Sequence, residues 1–119
     1  MDQPVPDVSE QDVIRVVQRD FAPEQFDAVM TILSEYGTED WQRGHHRVRL
    51  AVLKLAGGDL DAVRSQVEVA KCDYRDILAY AEYPDYMKMV PPSERIAEQD
   101  RQKIIRSDWN QYESWLKKV

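Results

Sequence analysis

The chain has 119 residues, of which 43% are hydrophobic and 32% are charged, and its formal net charge is -6. This length supports one domain with its own core but not two, and the composition excludes wholesale disorder. No apolar run approaches the roughly 20 residues that span a bilayer, and the acidic N-terminus lacks the apolar segment of a secretory signal. The single cysteine, Cys72, cannot form an internal disulfide. We therefore expect a cytoplasmic protein without a membrane segment.

The charge is distributed unevenly along the chain. Residues 1–40 hold ten acidic side chains against two arginines, residues 41–80 hold five acids against seven bases, and residues 81–119 hold seven of each. Because an acidic chain repels a phosphate backbone, we expect no nucleic-acid partner. The acidic first third favours a basic protein partner, with solubility alone as the alternative explanation.

The first predicted elements are a loose arm over residues 1–8 and a helix from Ser9 to Asp20. Ser9 followed by Asp12 is typical of a helix N-cap. A second helix has Pro23 in its first turn and closes at Gly37. The inward faces are Val13, Ile14, Val17 and Phe21 in the first helix, and Phe26, Val29, Met30, Leu33 and Tyr36 in the second.

The central stretch, residues 47–84, is predicted to form a helical hairpin. Thr38 is the candidate N-cap of a helix that runs through Trp41 to Ala56, with Gly44 in its interior. Gly57 and Gly58 end that helix, and Asp59 caps the next one. Helices joined by so short a turn lie antiparallel. The inward faces are Val48, Ala51, Val52 and Leu55 before the turn, and Leu60, Val63, Val67 and Ala70 after it.

Beyond the hairpin, Asp73 is a candidate cap for a further helix, and the pattern leaves open whether residues 71–73 break or only bend the chain. Pro84 ends this run, because the residue before a proline is driven out of the helical region. Residues 83–92 are predicted to be irregular, and Ser93 begins a final helix. Its inward face is Ile105, Trp109, Tyr112 and Leu116.

The only feature that suggests a metal site is the pair His45 and His46. Neighbouring helical side chains point about 100° apart, and no further ligand stands four residues from either histidine. No nucleotide-binding or hydrolase motif occurs in the chain. We therefore predict no metal, no cofactor and no catalytic residue.

The segment from residue 73 to residue 86, DYRDILAYAEYPDY, has the most unusual composition, with four tyrosines among several charges. Tyrosine is enriched in recognition surfaces. The candidate binding surface consists of Arg75, Tyr80, Glu82, Tyr83, Asp85 and Tyr86. One alternative is that the rings cover the end of the core. Another is a small enzyme in which Glu82, Asp85 and a neighbouring tyrosine perform acid–base chemistry.

Residues 50–84, LAVLKLAGGDLDAVRSQVEVAKCDYRDILAYAEYP, together with DWNQYESWL near the end, resemble a group of short bacterial proteins of uncharacterised function. The resemblance covers less than half of the chain, and it implies an all-helical, armadillo-like or HEAT-like arrangement in a bacterial cytoplasm. It implies no activity. The residues that carry it are Leu53, Leu55, Gly58, Asp59, Leu60, Val67, Ala70, Asp73, Tyr74, Arg75, Asp76, Leu78, Ala79, Glu82, Tyr83, Pro84, Asp108, Gln111, Tyr112, Trp115 and Leu116.

The sequence thus predicts an all-α single domain over residues 9–119, with five to six helices in antiparallel pairs. These form either a right-handed α-α superhelix or an irregular bundle. The preferred function is a non-enzymatic protein-interaction module, and an immunity or antitoxin protein is one version that size and charge suggest. Its candidate surfaces are the acidic N-terminal helices and the tyrosine-rich residues 80–86. The alternatives are the small enzyme and a homodimer.

Overall fold

A computed structural model describes residues 7–37, 44–88 and 98–118 of the chain. Within these ranges all regular structure is helical, which confirms the all-α class. The elements are α1 (Glu10–Asp20), a 3-10 turn (Pro23–Gln25), α2 (Phe26–Leu33), α3 (His45–Ala56), α4 (Leu60–Glu82), α5 (Pro84–Lys88) and α6 (Glu98–Lys117). Most of the predicted arm, the Thr38 cap, residues 89–92 of the segment predicted to be irregular and the Ser93 helix start lie outside the described residues.

The hairpin of α3 and α4 forms the centre of the fold. Gly57 and Gly58 turn the chain with φ angles of 59° and 85°, which only glycine adopts at little cost. Asp59 then accepts a hydrogen bond from the Asp61 backbone N–H at 3.0 Å, as its predicted capping role requires. Val52 and Val67 are both buried between the two helices, as predicted.

Helix α4 is interrupted at Asp73, where φ is -156° and ψ is 98°. The Asp73 side chain accepts a hydrogen bond from the Arg75 backbone N–H at 3.1 Å and so caps the second half of the helix. A short carboxylate that bonds nearby backbone offers the chain an alternative to the helical ladder. The question that the sequence left open is thereby resolved, because the helix breaks rather than bends.

Two predicted boundaries are wrong. Gly44 lies before α3 and not inside it, since its φ of 63° is left-handed, and the described helix begins at His45. Residues 84–88 are helical and not irregular, because Pro84 occupies the first position of α5, where a missing N–H costs nothing.

The other helices pack around the hairpin. Helix α1 lies on α3, α2 lies on α4, and α6 lies on α4 and α5. The Ser9 backbone N–H donates to Asp12 Oδ2 at 3.0 Å, which confirms the predicted start of α1. Arg49 of α3 donates to the carbonyl oxygens of Leu33 and Tyr36 at 3.1 and 2.7 Å, and so binds the C-terminal end of α2 to the hairpin.

Candidate functional site

The residues predicted to form a binding surface fall into two groups. Arg75, Tyr80 and Asp85 are exposed. Tyr86 is half-buried. Glu82 and Tyr83 are buried, with exposed fractions of 1% and 4%, so their side chains cannot take part in a surface contact. The six residues therefore do not form one surface.

Glu82 is buried because Arg47 of α3 binds its carboxylate at two points. Arg47 Nε donates to Oε2 at 2.8 Å, and Nη2 donates to Oε1 at 2.6 Å. The planar guanidinium matches a carboxylate in this geometry, and the charge-assisted bonds are strong. The hydrogen bond that Arg47 donates to Glu82 raises the pKa of Arg47, against the opposing effect of burial.

Asp108 of α6 is a second fully buried carboxylate. Its Oδ1 accepts from the Asp85 backbone N–H at 3.3 Å, and its Oδ2 accepts from the Tyr86 backbone N–H at 2.9 Å. These N–H groups belong to the first turn of α5 and have no partner within that helix. Burial raises the pKa of Asp108, while the two hydrogen bonds and Lys54 act in the opposite direction. Asp108 thus fastens α5 to α6.

Two tyrosines line this region. Burial, reinforced by the negative charge of Glu82, raises the pKa of Tyr83 to about 12. The pKa of Tyr112 is raised for the same two reasons. The Tyr112 hydroxyl is buried and has no hydrogen-bond partner among the described residues. Both phenols stay protonated at neutral pH, so neither serves as a base there.

Arg47, Glu82, Asp108 and Tyr112 are named here the buried polar cluster. A carboxylate that acts as a general base needs an oxygen that is free to accept a proton from the substrate. Here Arg47 holds both oxygens of Glu82, and backbone N–H groups occupy both oxygens of Asp108. The geometry therefore suits two attachments, of α3 to α4 and of α5 to α6, better than acid–base catalysis.

Sequence reasoning missed Arg47 and Asp108 as members of this cluster. A signal for Asp108 was present, because it follows Ile105 by three residues and precedes Tyr112 by four, on the inward face of α6. A charged residue in that register needs a buried partner. The same reasoning applies to Arg47, which stands four residues before the buried Ala51.

The outer face of α4 presents Val69 and Tyr80, with exposed fractions of 44% and 54%. They are the large apolar side chains that the described residues leave exposed. The break of α4 at Asp73 lies between them. Apolar side chains that are exposed singly are ordinary, so this face lacks the continuous patch that marks an interface.

The N-terminal helices differ, because both of their arginines are used internally. Arg15 donates to the Leu116 carbonyl, and Arg19 donates to the carbonyls of Trp115 and Lys118 at 2.6 and 2.8 Å. The Arg19 guanidinium also lies 5.1 Å from the centre of the Trp115 ring. The two cations thus complement the negative C-terminal end of α6.

Arg15 also lies 3.7 Å from Asp12 and Arg19 pairs with Asp20 at 2.8 Å, so neither arginine pairs with the acidic side chains at the corner between α1 and α2. Glu24 and Asp27 are exposed and form no ion pair within the described part of the chain. We call Glu24 and Asp27, with the surface around them, the acidic face. Farther along, Glu35 is an exception, because Lys71 of α4 binds it at 3.2 Å.

A surface groove with a volume of about 330 Å³ lies at the corner between α1 and α2. Its floor is apolar, and no basic residue is among those that line it. The lining residues are Gln18, Phe21, Ala22, Pro23, Phe26 and Asp27. A second groove, between the Gly57-Gly58 turn and the end of α6, contains Arg19 and Asp20, which already bind each other at 2.8 Å.

His45 packs edge-on against the Tyr36 ring, with the ring centres 6.3 Å apart. Among the described residues, no three acidic, histidine or cysteine side chains are placed to hold a metal ion. In the same ranges, no helix has the length and apolar character needed to cross a membrane. Comparisons with protein-family models, with curated proteins and with solved structures find no match to this chain.

Proposed function

We propose that the protein is a non-enzymatic interaction module whose acidic face binds a basic protein partner. The observation that carries this proposal is that Arg15 and Arg19 bind the end of α6 and pair with Asp12 and Asp20. The exposed carboxylates of Glu24 and Asp27 form no ion pair with either arginine or with any other residue that the structure describes. A surface whose charges all have one sign raises the rate of encounter with an oppositely charged partner and disfavours partners of like charge.

The buried polar cluster supports the proposal indirectly. Asp108 fastens α5 to α6, and the neighbouring Gln111 donates to the Ala81 and Glu82 carbonyl oxygens at 3.5 and 3.4 Å, which attaches α6 to the end of the hairpin. The attached end of α6 in turn binds Arg15 and Arg19 through its carbonyl oxygens. Because Arg47 occupies both carboxylate oxygens of Glu82, no specific observation favours the acid–base enzyme.

An immunity or antitoxin protein is one specific form of this proposal, which the size and the net charge of the chain suggest. A cytoplasmic location belongs to the same proposal. Cys72 is a free and exposed thiol, which suits a reducing compartment.

The test is affinity capture of the tagged protein from its native host, at low salt and again at about 0.5 M salt. At the higher concentration the Debye length falls to roughly 4 Å, so contacts between exposed charges weaken. We expect a captured basic protein that is lost at high salt. A partner that is retained equally at both concentrations would contradict the proposal.

Charge variants locate the contact. The double variant Glu24→Lys/Asp27→Lys reverses the acidic face and should weaken capture at least about tenfold. The matched control is Asp61→Lys/Asp76→Lys, which makes the same change of charge at exposed positions of α4. Circular dichroism should show that both variants fold. Equal loss with both would mean that net charge, and not the acidic face, governs binding.

A further inference from the structure

The groove at the α1–α2 corner arises from the way in which α1 ends. Phe21 leaves the helix in an extended conformation, while its N–H still donates to the Val17 carbonyl at 3.0 Å. Its ring turns inward and is buried. Pro23 then begins the 3-10 turn, so Ala22 and Pro23 stay on the outside of the corner. The half-buried ring of Phe26 closes the other side.

The groove lies within the acidic face. Asp27 is part of its lining, and Glu24 stands between Pro23 and Phe26 on the same exposed corner. Arg19 belongs to the same end of α1, but its guanidinium points away to the C-terminal carbonyls of α6. An apolar floor is thus bordered by carboxylates, with no lining cation to neutralise them.

Resting on the proposed function, we propose that this groove receives one large apolar side chain of the partner, from a segment that carries Lys or Arg on both sides of it. The volume of about 330 Å³ is at the lower end of the range for small-ligand pockets, so it suits a single anchoring side chain. Interfaces concentrate their binding energy in such anchors, which fill a pocket and exclude water. The flanking cations follow from charge complementarity with Glu24 and Asp27.

The inference is tested by NMR titration of the isotopically labelled full chain with three capped peptides, KKLKK, KKSKK and EELEE. We expect KKLKK to shift the backbone amides of Gln18, Ala22 and Asp27. It should saturate at a concentration at least about tenfold lower than either of the other peptides, because burial of leucine adds to the charge attraction.

Each other outcome overturns the inference in a distinct way. If KKSKK binds as tightly as KKLKK, with shifts on the acidic face outside the groove, the docking inference fails while the proposed function stands. If EELEE binds as tightly as KKLKK, the preference for flanking cations is wrong. If no peptide binds at about millimolar concentration, the groove holds no such anchor, and the host capture experiment decides the proposed function separately.

A matched pair of variants separates the groove from general charge. Ala22 lines the groove, whereas Ala28 is exposed on α2 outside it. Ala22→Arg should lower the affinity for KKLKK at least about tenfold, because the new side chain fills the mouth of the groove and repels the peptide. Ala28→Arg makes the same change of charge and should lower it less than about threefold. Equal effects would overturn the assignment of the groove.

Discussion

Arg47 at the start of α3 and Glu82 at the end of α4 are bound to each other by two hydrogen bonds, of 2.8 and 2.6 Å, across 35 positions of sequence. At the opposite end of the same two helices, Gly57 and Gly58 connect the chain. The hairpin is therefore closed covalently at one end and by an ion pair at the other. Because Glu82 is 1% exposed and Arg47 is 28% exposed, the two partners do not contribute equally to stability.

That inequality predicts different effects of the two single substitutions. Arg47→Ala leaves a buried carboxylate without its partner, and we expect it to lower the free energy of unfolding by about 3–5 kcal/mol. Glu82→Gln keeps the side-chain shape and one hydrogen-bond acceptor, and the Arg47 cation that loses its ionic partner still reaches water. We therefore expect this variant to lower the free energy of unfolding by about 1–3 kcal/mol. Urea unfolding measures both values.

The double variant Arg47→Met/Glu82→Leu provides the control. It replaces the ion pair with apolar groups of similar volume, and such replacements of buried pairs are often neutral. We expect its free energy of unfolding to lie within about 1 kcal/mol of the original. The explanation is wrong if Glu82→Gln proves more destabilising than Arg47→Ala.

The glycine turn predicts an order of stability between two neighbouring positions. At Gly57 a Cβ atom would meet nothing within 4 Å. Gly57→Ala should therefore lower the free energy of unfolding by about 1 kcal/mol, from the strain of the left-handed backbone alone. At Gly58 the Cβ would lie 3.2 Å from the Asp20 carbonyl oxygen, so Gly58→Ala should cost about 2 kcal/mol. Thermal unfolding of the two variants checks this order, and the reverse order would contradict the described turn.

Features with a local cause were predictable from the sequence. The burial of Val52 and Val67 follows from the helical period, and the turn follows from two adjacent glycines and the Asp59 cap. The start of α3 was not predictable in this way. A glycine inside a helical pattern is compatible with either state, and the left-handed conformation of Gly44 emerges only in the folded chain.

The candidate site was harder to predict, because its defining contacts are distant in sequence. Glu82 and Tyr83 belong to a segment whose composition resembles a recognition surface, yet Glu82 is buried by an arginine that no periodicity connects to it. The acidic first third was visible in the sequence. The sequence did not predict that Arg15 and Arg19 bind the end of α6, because the carbonyl groups that they contact are about 100 positions away.

The raised pKa of Asp108 predicts a pH dependence. A carboxyl whose pKa is higher in the folded state than its ordinary value of 3.8 binds its proton more tightly when folded. The free energy of unfolding therefore falls as the pH rises from about 4 through the raised pKa, and this contribution is constant above it. Asp108→Asn removes the titration but retains one acceptor for the N–H groups of α5.

We thus expect the stability of Asp108→Asn, relative to the original protein, to improve as the pH rises through that window. Urea unfolding of both proteins between about pH 4 and pH 7 measures the difference. Asp61→Asn is the control, since Asp61 is 89% exposed. A relative stability that declines with rising pH would show that the two hydrogen bonds outweigh burial at Asp108.

The contacts of Arg19 with the end of α6 should contribute measurably to the stability of the fold. Its side chain is only 11% exposed, and it donates to the carbonyls of Trp115 and Lys118 while lying over the Trp115 ring. Arg19→Ala should lower the free energy of unfolding by about 2 kcal/mol and accelerate amide hydrogen exchange in the last turn of α6. Arg19→Lys keeps the charge but not the planar guanidinium group, so it should lower the free energy of unfolding about half as much as Arg19→Ala does.

The control for this prediction is Arg64→Ala, because Arg64 is 57% exposed and pairs with Asp61 on the surface of α4. Exposed pairs contribute little, so we expect a loss below about 0.5 kcal/mol. Arg19→Ala also makes the acidic N-terminal helices more negative, and it should therefore leave the affinity for KKLKK unchanged or slightly higher, provided that the chain stays folded. A marked loss of peptide affinity with native-like spectra would mean that Arg19 itself contacts the partner and is not reserved for α6.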